Sequence, residues 1–174
     1  MGETGQDERY HEAAAEFGPA LERLARGYEF DPDRRRDLLQ EIHLALWRSF
    51  AAFDGRCSVR TWVYRVAHNT AVSYGIGRRR SRDRNLVALE DVELTLGSRD
   101  GDAAAIRRHA LTRLTELIQH LQPLDRQVIL SYLEGMDAAS IGEITGLSAA
   151  NVATKIHRIK TVLARAFSQG AQHA

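Results

Sequence analysis

The sequence is poor in residues that form covalent cross-links and in long apolar segments. It has one cysteine, Cys57, among 174 residues, which excludes an intramolecular disulfide framework and fits a reducing compartment. No apolar run approaches the roughly 20 residues that a membrane span needs. The first residues, MGETGQDERY, are too polar and acidic for a secretory or transit signal. We therefore expect a cytoplasmic protein without membrane insertion.

Patterns for catalysis and for metal binding are also absent from the sequence. The seven histidines are scattered, and no spacing of His, Cys and Asp resembles a zinc site. Cys57 has no activating motif around it, so a structural or incidental thiol is the preferred interpretation. Gly75 and Gly77 do not follow a strand pattern and therefore do not form a phosphate-binding loop. The sequence predicts no enzyme, no cofactor and no metal.

Lysine is scarce, and the net charge of +1 conceals a separation of charge along the chain. Of 24 basic residues only Lys155 and Lys160 are lysines. Arginine suits bidentate contacts to phosphate and bases, although codon bias in a GC-rich genome explains the preference equally well. The sign of the charge alternates along the chain. Residues 1–33 have nine acidic and three basic groups, and residues 34–84 have four acidic and twelve basic groups. Residues 85–147 have ten acidic and five basic groups, and residues 148–174 have four basic groups and no acidic group. Two basic blocks therefore lie among acidic ones.

Apolar residues recur with the period of an α-helix in the first part of the chain. One stripe over residues 37–53 and another over residues 59–70 predict two helices joined by a tight turn, with Ser58 as the N-cap of the second. An earlier stripe that begins at Phe17 predicts a first helix in the acidic segment. Together they predict a three-helix module over residues 10–80.

The pattern changes in residues 81–106, which we interpret as a linker. Gly75 and Gly77 weaken the preceding helix, and the basic run at residues 78–84 is followed by an acidic stretch that contains glycine. A connection of this length argues against a single compact domain.

Helical periodicity resumes after the linker and predicts a second module over residues 107–170. Its first stripe stops at Pro123, which can open the next helix. A short helix over residues 138–145 follows, with Asp137 predicted as its N-cap, and a turn at Gly146 leads to a longer helix. Because no stretch alternates like a strand, the predicted fold is all-α, with two small helical domains and a flexible linker.

The last two helices follow the plan of a helix-turn-helix, whose second helix enters the major groove. Packing of their apolar faces would leave polar residues outward, near a helix N-terminus that also favours phosphate. Lys155 and Arg158 suit phosphate or guanine, and Asn151 suits adenine. An ordinary hairpin with a basic solvated face is the alternative. The acid-free block begins at this helix, which favours DNA binding.

A second group of residues combines aromatic rings with arginine and amide groups on the helix after the tight turn. This mixture suits single-stranded nucleic acid, in which unstacked bases lie on aromatic faces and phosphates meet arginine. Trp62 has the spacing of a core residue first. Arg65, His68 and Asn69 are the better candidates for contacts with nucleic acid.

Four segments share the order and spacing of one protein family. They are Asp37-Leu38-Leu39-Gln40-Glu41-Ile42, the turn Phe53-Asp54-Gly55, the run Thr61-Trp62-Val63-Tyr64-Arg65-Val66-Ala67-His68-Asn69, and the closing helix-turn-helix. Together they resemble bacterial RNA polymerase sigma factors, and most closely the extracytoplasmic-function (ECF) class of the sigma-70 family. The resemblance implies a non-enzymatic subunit that binds core RNA polymerase, directs it to promoters and helps to melt the DNA.

The resemblance also implies three sets of contact residues. One set would dock on the β′ clamp helices of core polymerase: Asp37, Gln40, Glu41, His43, Leu44 and Trp47. A second would capture a flipped base of the melted minus-ten element: Phe53, Arg56, Ser58, Arg60, Thr61, Trp62, Arg65, His68, Asn69, Arg79 and Arg80. A third would read the minus-thirty-five element as duplex, partly through its shape: Arg126, Ser148, Asn151, Thr154, Lys155, Arg158 and Lys160.

Further partners follow from the same resemblance, and some positions depart from it. The family implies contact with the β flap, a linker that passes near the RNA exit path, and an anti-sigma factor. Arg34, Arg35 and Arg36 stand where members commonly have an acidic cluster, Ser73 replaces an aspartate, and Ala153 replaces a basic residue. These departures leave the predicted fold unchanged and make the promoter sequence and the regulation less transferable.

The principal alternative is a conventional helix-turn-helix regulator that dimerises on duplex DNA without polymerase. It predicts palindromic half-sites, and it has no use for a turn that captures a base. An RNA-processing enzyme is a distant third interpretation, because the sequence lacks an acid–base or metal set.

Overall fold

The computed structural model describes the backbone of residues 3–84 and 103–171 and the side chains of residues 5–77 and 103–168. These residues form helices and no strand, as the all-α prediction requires. No helix in the two ranges has the length and apolar character of a membrane span. The helices are α1 (Glu3–Tyr28), α2 (Pro32–Ser49), a 3-10 helix (Phe50–Ala52), α3 (Val59–Arg84), α4 (Ala103–Gln119), α5 (Pro123–Leu133), α6 (Ala138–Thr145) and α7 (Ala149–Ala171).

The first three helices form a bundle whose core follows the predicted stripes. α2 begins at Pro32, earlier than predicted, because the carboxylate of Asp31 accepts the N–H groups of its first turn. Ser58 caps α3 as predicted, since its Oγ accepts the N–H of Thr61 at 3.0 Å. The buried core residues of this bundle include Phe17, Leu21, Leu24, Leu38, Ile42, Leu46, Phe50, Val63, Tyr64 and Ala67.

The third helix continues through Gly75 and Gly77, farther than the sequence indicated. A glycine in a helix costs only about 1 kcal/mol relative to alanine, so two exposed glycines do not by themselves end a helix. The predicted linker is therefore helical at its two ends, residues 81–84 and 103–106. Its central part, residues 85–102, lies outside the described residues.

The helix-turn-helix of α6 and α7 lies where the sequence predicts it. Asp137 begins α6 by accepting the N–H of Ser140 at 2.8 Å. Gly146, with φ of 78°, ends α6 in the left-handed conformation that glycine favours. Gly142 allows the turn to approach α6, because a Cβ atom there would lie 2.6 Å from the carbonyl oxygen of Leu147.

The two groups of helices, α1–α3 and α4–α7, pack against each other. α1 contacts α4 and α5, and α3 contacts α5 and α6. Gly27 permits the close approach, because a Cβ atom there would lie 2.6 Å from Cδ1 of Leu130. Nε2 of Gln119 on α4 also donates to the carbonyl of Arg26 on α1 at 2.7 Å. The linker prediction did not indicate this packing, which determines which candidate residues are exposed.

Candidate nucleic-acid interface

The outward face of α7 carries polar residues predicted to contact duplex DNA. Ser148, Asn151, Thr154 and Arg158 are exposed, whereas Val152 is fully buried on the opposite side. Ser148 also caps the helix, since its Oγ accepts the N–H of Asn151 at 3.2 Å. No acidic residue follows Glu143 in the sequence, so α7 itself contributes no negative charge to this face.

The two lysines of α7, also predicted to contact duplex DNA, have partners within the protein. Nζ of Lys155 lies 2.5 Å from Oδ1 of Asp125 on α5, and their side chains are only 24% and 18% exposed. Nζ of Lys160 lies 5.5 Å from the ring centroid of Tyr132. Arg158 also approaches Asp125, at 3.7 Å, but it is 67% exposed. Asp125 therefore offsets part of the positive charge of α7.

Arg126, another predicted duplex contact, lies at the junction of the two groups of helices. Its Nη2 donates to the carbonyl of Leu121 at 3.1 Å and to that of Gln119. The guanidinium lies 5.3 Å from the ring centroid of Tyr28 on α1, within cation–π distance. In this arrangement Arg126 joins α5 to α1 rather than extending toward DNA.

The residues predicted for polymerase docking line one outward face of α2. Leu44 is 40% exposed and Trp47 is 39% exposed, and they share the face with polar side chains. Exposed apolar side chains bordered by polar ones are typical of protein-binding surfaces. The exposed members of the predicted set are Asp37, Gln40, Glu41, Leu44 and Trp47.

The N-terminal part of α1 borders this face, a contact that the sequence did not indicate. Oδ1 of Asp7 accepts the indole N–H of Trp47 at 2.7 Å, and Nε2 of Gln6 donates to the Trp47 carbonyl at 2.7 Å. The hydroxyl of Tyr10 lies 3.1 Å from Nδ1 of His43, and burial lowers the pKa of this half-buried histidine. α1 therefore orients two of the predicted docking residues.

The three arginines that depart from the family pattern lie in the first turns of α2. Arg34 and Arg36 are exposed, and Arg36 pairs with Asp33 one turn away. Arg35 donates to the carbonyl of Phe30 at 3.4 Å. The positive charges therefore point away from the core of the bundle.

The turn before α3 places aromatic rings beside an exposed arginine. The ring centroids of Phe53 and Trp62 lie 5.2 Å apart at an interplanar angle of 62°, a favourable edge-to-face arrangement. Nε1 of Trp62 donates to Oγ of Ser49 at 2.9 Å, and the indole is half-buried, as its spacing predicts. Arg56 is 89% exposed and pairs with Asp54 at 2.9 Å.

Other predicted single-strand contacts on α3 already contact protein. Nη2 of Arg60 donates to the carbonyl of Glu134, and Nη2 of Arg65 donates to the carbonyl of Glu143 at 2.9 Å. Thr61 is only 2% exposed because it packs inside the capping turn. In this arrangement both arginines donate to backbone carbonyls of the C-terminal helices, and Arg60 remains exposed.

His68 is the most deeply buried of the predicted contacts. Its Nδ1 lies 2.9 Å from the hydroxyl of Tyr28, and its Nε2 lies 3.0 Å from Oγ of Ser131. Burial lowers the pKa of His68 to about 3, so the imidazole is neutral near pH 7. A neutral imidazole donates through one nitrogen and accepts through the other, which suits two hydroxyl partners. His68 is thus inaccessible to DNA while the two groups of helices are packed together.

The remaining predicted contacts are Ser58, which precedes α3, and three residues on α3. Ser58 and Asn69 are exposed. Arg79 and Arg80 lie outside the residues whose side chains the structure describes.

Glu134, at the end of α5, is the centre of contacts that sequence reasoning missed. Its carboxylate accepts Nε–H and Nη2–H of Arg23, both at 2.7 Å, and lies 3.4 Å from the hydroxyl of Tyr64. Burial, helped by the charge of Glu134, raises the pKa of Tyr64 to about 12. A glutamate at a helix end gives no sequence signal for this role, because Tyr64 and Arg23 lie 70 and 111 residues away.

Known protein families match both groups of helices. The family model of sigma-70 region 2 matches residues 14–84, and that of sigma-70 region 4 matches residues 111–163. The two models therefore match the chain in the order that the resemblance implies. This pair of matches does not favour the conventional dimeric regulator.

Curated relatives and solved structures agree with these matches. An ECF RNA polymerase sigma-E factor of Haemophilus influenzae is 28% identical over 134 residues, which cover 73% of this chain and 71% of that protein. The sigma factor CnrH of Cupriavidus metallidurans is 25% identical over 166 residues, which cover 92% and 87%. The structure of CnrH with the cytosolic domain of CnrY has a TM-score of 0.68 at 21% identity, covering 97% and 93%. That of Bartonella quintana RpoE with the anti-sigma factor NepR has a TM-score of 0.66 at 18% identity, covering 88% and 93%.

These findings identify the class of the protein. The chain belongs to the sigma-70 family, within its extracytoplasmic-function class. It is therefore a sigma factor, a subunit that binds core RNA polymerase and gives it promoter specificity.

Proposed function

We propose that this sigma factor divides promoter recognition among three surfaces. Residues 10–80 act as the region 2-like domain, residues 81–106 as the linker, and residues 107–170 as the region 4-like domain. The protein acts in the cytoplasm, on core polymerase, and contributes binding and DNA melting rather than catalysis of its own. The observation that carries the proposal is that one chain presents two candidate DNA-binding surfaces. The first is the turn beside the α2 face, with exposed Arg56 and the rings of Phe53 and Trp62. The second is the exposed basic face of α7.

The first surface is the outward face of α2, which docks on the β′ clamp helices. Leu44 and Trp47 supply apolar area, and the neighbouring carboxylates and amide supply the polar contacts that fix orientation. The hydrogen bonds from α1 hold Trp47 in place before the polymerase binds, which lowers the entropic cost of docking.

The second surface is the turn from Phe53 to Ser58 together with α3, which binds the melted non-template strand at the minus-ten element. Extruding a base costs a few kcal/mol, which stacking and edge hydrogen bonds offset. Arg56 is exposed and available to bind a phosphate, and Asn69 is exposed and available to hydrogen-bond to a base edge. The paired rings of Phe53 and Trp62 stiffen the turn that presents them.

The third surface is α7, which reads the minus-thirty-five element as duplex. Asn151, Thr154 and Arg158 are exposed on its first turns, where direct readout of the major groove takes place. The C-terminal domain also meets the β flap, and the linker passes near the RNA exit path. The similar structure of CnrH holds the cytosolic domain of CnrY, and that of RpoE holds the anti-sigma factor NepR. We therefore include an anti-sigma factor among the partners of this chain.

The direct test is binding to core polymerase followed by promoter-dependent transcription. The full chain is expected to co-elute with purified core polymerase at low salt and to direct initiation at promoters found by mapping transcripts after overexpression. Failure to co-elute would overturn the proposal.

A pair of matched variants tests the α2 face itself. Leu44→Arg is expected to weaken core binding at least tenfold. The variant loses the apolar contact of Leu44 and also buries an unpaired cation in a protein interface, which is unfavourable. Ile76→Arg makes the same change at a residue of similar exposure on α3, and it is expected to leave core binding unchanged. Equal loss in the two variants would contradict the assignment of this face.

A further inference from the structure

Two cations on α7 share one carboxylate, but they do not share it equally. Lys155 and Arg158 are three residues apart, so they are neighbours on one side of the helix. Nζ of Lys155 lies 2.5 Å from Oδ1 of Asp125 on α5, within hydrogen-bond distance. Nη2 of Arg158 lies 3.7 Å from Oδ2 of the same carboxylate, beyond that distance. Asp125 therefore forms the closer pair with the lysine.

Burial separates the two cations further. The side chains of Lys155 and Asp125 are 24% and 18% exposed, whereas that of Arg158 is 67% exposed. Salt and water screen a partly buried pair less than an exposed one, so the lysine pair is the stronger of the two. A phosphate can bind Lys155 only if it displaces Asp125. Arg158 can bind a phosphate without losing a hydrogen bond to Asp125.

The position of Asp125 is fixed by the helix that carries it. The side chain lies in the first turn of α5, which begins at Pro123 and receives no side-chain cap from Gln122. The positive end of the helix dipole favours a carboxylate there. α5 packs against α7, and Val128 and Val152 of the two helices are fully buried. The carboxylate is thus held beside α7 before any DNA binds.

The rest of α7 provides a reference for this contact. Among the side chains that the structure describes, no other carboxylate forms an ion pair with α7. Lys160 is exposed, and its Nζ lies 5.5 Å from the ring centroid of Tyr132. Lys155 and Lys160 are the only lysines of the chain, so each can be followed without interference from others.

We propose that Asp125 determines which cation of α7 contacts DNA, by holding Lys155 and leaving Arg158 available. Asp125 is a positioning residue, because it acts through Lys155 and does not itself touch DNA. A free lysine would add a phosphate contact that is independent of sequence, and the pair with Asp125 withholds that contact. This inference rests on the proposed role of α7 in reading duplex DNA.

The pair itself is tested first, on the full chain without DNA. Acetylation by N-acetoxysuccinimide, followed by mass spectrometry of peptides, compares the two lysines in one sample. Lys155 is expected to react several-fold more slowly than Lys160 in the wild type, and Asp125→Asn is expected to remove most of that difference. The variant keeps the size of the side chain and an oxygen that accepts hydrogen bonds, so α5 is retained. Equal rates in the wild type would overturn the proposal.

Binding to duplex DNA is measured next, by fluorescence anisotropy of the full chain with a labelled duplex pool of random sequence at several salt concentrations. Asp125→Asn is expected to bind more tightly than the wild type. The slope of log affinity against log salt should become steeper by about 0.9, the value for one added phosphate contact. Glu116→Gln removes the same charge from α4, where the carboxylate has no ion-pair partner among the described side chains, and is the matched control. Equal slopes in the two variants would overturn the proposal.

Two further variants show whether the gain comes from Lys155. Lys155→Ala alone is expected to leave the slope of the wild type unchanged, because the lysine is already held. The same substitution added to Asp125→Asn should return the steeper slope to the wild-type value. A slope that falls by about 0.9 on Lys155→Ala alone would show that the lysine contacts phosphate in the native protein, and would overturn the proposal.

Arg158→Ala separates failure of this inference from failure of the proposed function. A lower slope for Arg158→Ala, together with an equal loss for Lys155→Ala, would leave α7 as the duplex-binding helix and overturn only the role of Asp125. No change in affinity for Arg158→Ala, Lys155→Ala and Asp125→Asn would show that this side of α7 does not meet DNA, and would overturn both. A lower slope for Arg158→Ala, with none for Lys155→Ala, supports both.

Discussion

Nε2 of His68 on α3 lies 3.0 Å from Oγ of Ser131 on α5. The imidazole is fully buried, and its Nδ1 contacts the hydroxyl of Tyr28. The contact joins two parts of the chain that are 63 residues apart. It places a histidine, the side chain whose ordinary pKa lies closest to neutrality, inside the interface. The packing of the two groups of helices is therefore linked to pH.

Acidification is expected to weaken the packing between α1–α3 and α4–α7. Burial lowers the pKa of His68 from 6.5 to about 3, so below pH 6.5 the chain with separated helix groups takes up a proton that the packed chain does not. The contribution of His68 to the packed form is present above pH 6.5 and is lost as pH falls toward 3. Lowering the pH from 6.5 to 5.5 should favour separation about fivefold, measured as an increase in the radius of gyration.

The groups that face His68 do not reverse this expectation. Burial raises the pKa of Tyr28 and of Tyr64, so both rings stay neutral on acidification. Arg126, stacked on Tyr28, stays cationic and further disfavours a charged imidazole. The control is His68→Gln, which cannot titrate and should expand no further on acidification. Equal expansion in both proteins would contradict the role of His68.

Arg158→Ala should weaken binding to the promoter duplex and lower its dependence on salt. The guanidinium is 67% exposed on α7, so it is available to a phosphate. Losing one phosphate contact reduces the slope of log affinity against log salt by about 0.9. The matched control is Arg165→Ala, an exposed arginine two turns farther along α7, for which we expect a smaller change. An unchanged slope for Arg158→Ala would show that this side chain does not contact a phosphate.

Asn69→Ala should impair DNA melting more than binding to core polymerase. The amide is exposed on α3 and lies away from the α2 face, so its loss removes a contact to an extruded base and leaves docking intact. Permanganate footprinting of the open complex should show weaker reactivity of unpaired thymines, with co-elution unchanged. A normal footprint would contradict the assignment.

Gly142→Ala should destabilise the helix-turn-helix by about 1–3 kcal/mol, the usual cost of overpacking. The new Cβ atom would lie 2.6 Å from the carbonyl oxygen of Leu147, and a backbone atom in a tight turn has little freedom to move. Gly18→Ala in α1 is the control, because its Cβ atom would meet nothing within 4 Å. That change should stabilise the protein by about 0.5–1 kcal/mol. Urea unfolding followed by far-UV circular dichroism measures both, and equal effects would contradict the steric argument.

Local signals in the sequence located most of the helices. Asp137 and Ser58 were predicted as N-caps and act as such, because a cap depends only on residues within one turn. The end of α3 was predicted too early, since the weak cost of Gly75 and Gly77 was overestimated. The exposed face of α7 also followed from the period of its apolar residues.

Exposure of individual site residues was less predictable. Trp62 was correctly interpreted as a packing residue, whereas His68 and Arg126 were selected as candidate contacts and lie buried or half-buried at the junction. Their environment depends on residues from the other group of helices, which periodicity does not identify.

The sequence by itself determined the all-α class, the helix-turn-helix, the two basic blocks and the family to which the chain belongs. Those properties reside in local spacing, capping and composition. Only the tertiary structure decided that α5 and α6 cover α3, that Asp125 pairs with Lys155 and that Glu134 holds Arg23. These contacts join residues 30 and 111 positions apart, and only chain folding brings such distant groups within hydrogen-bond distance.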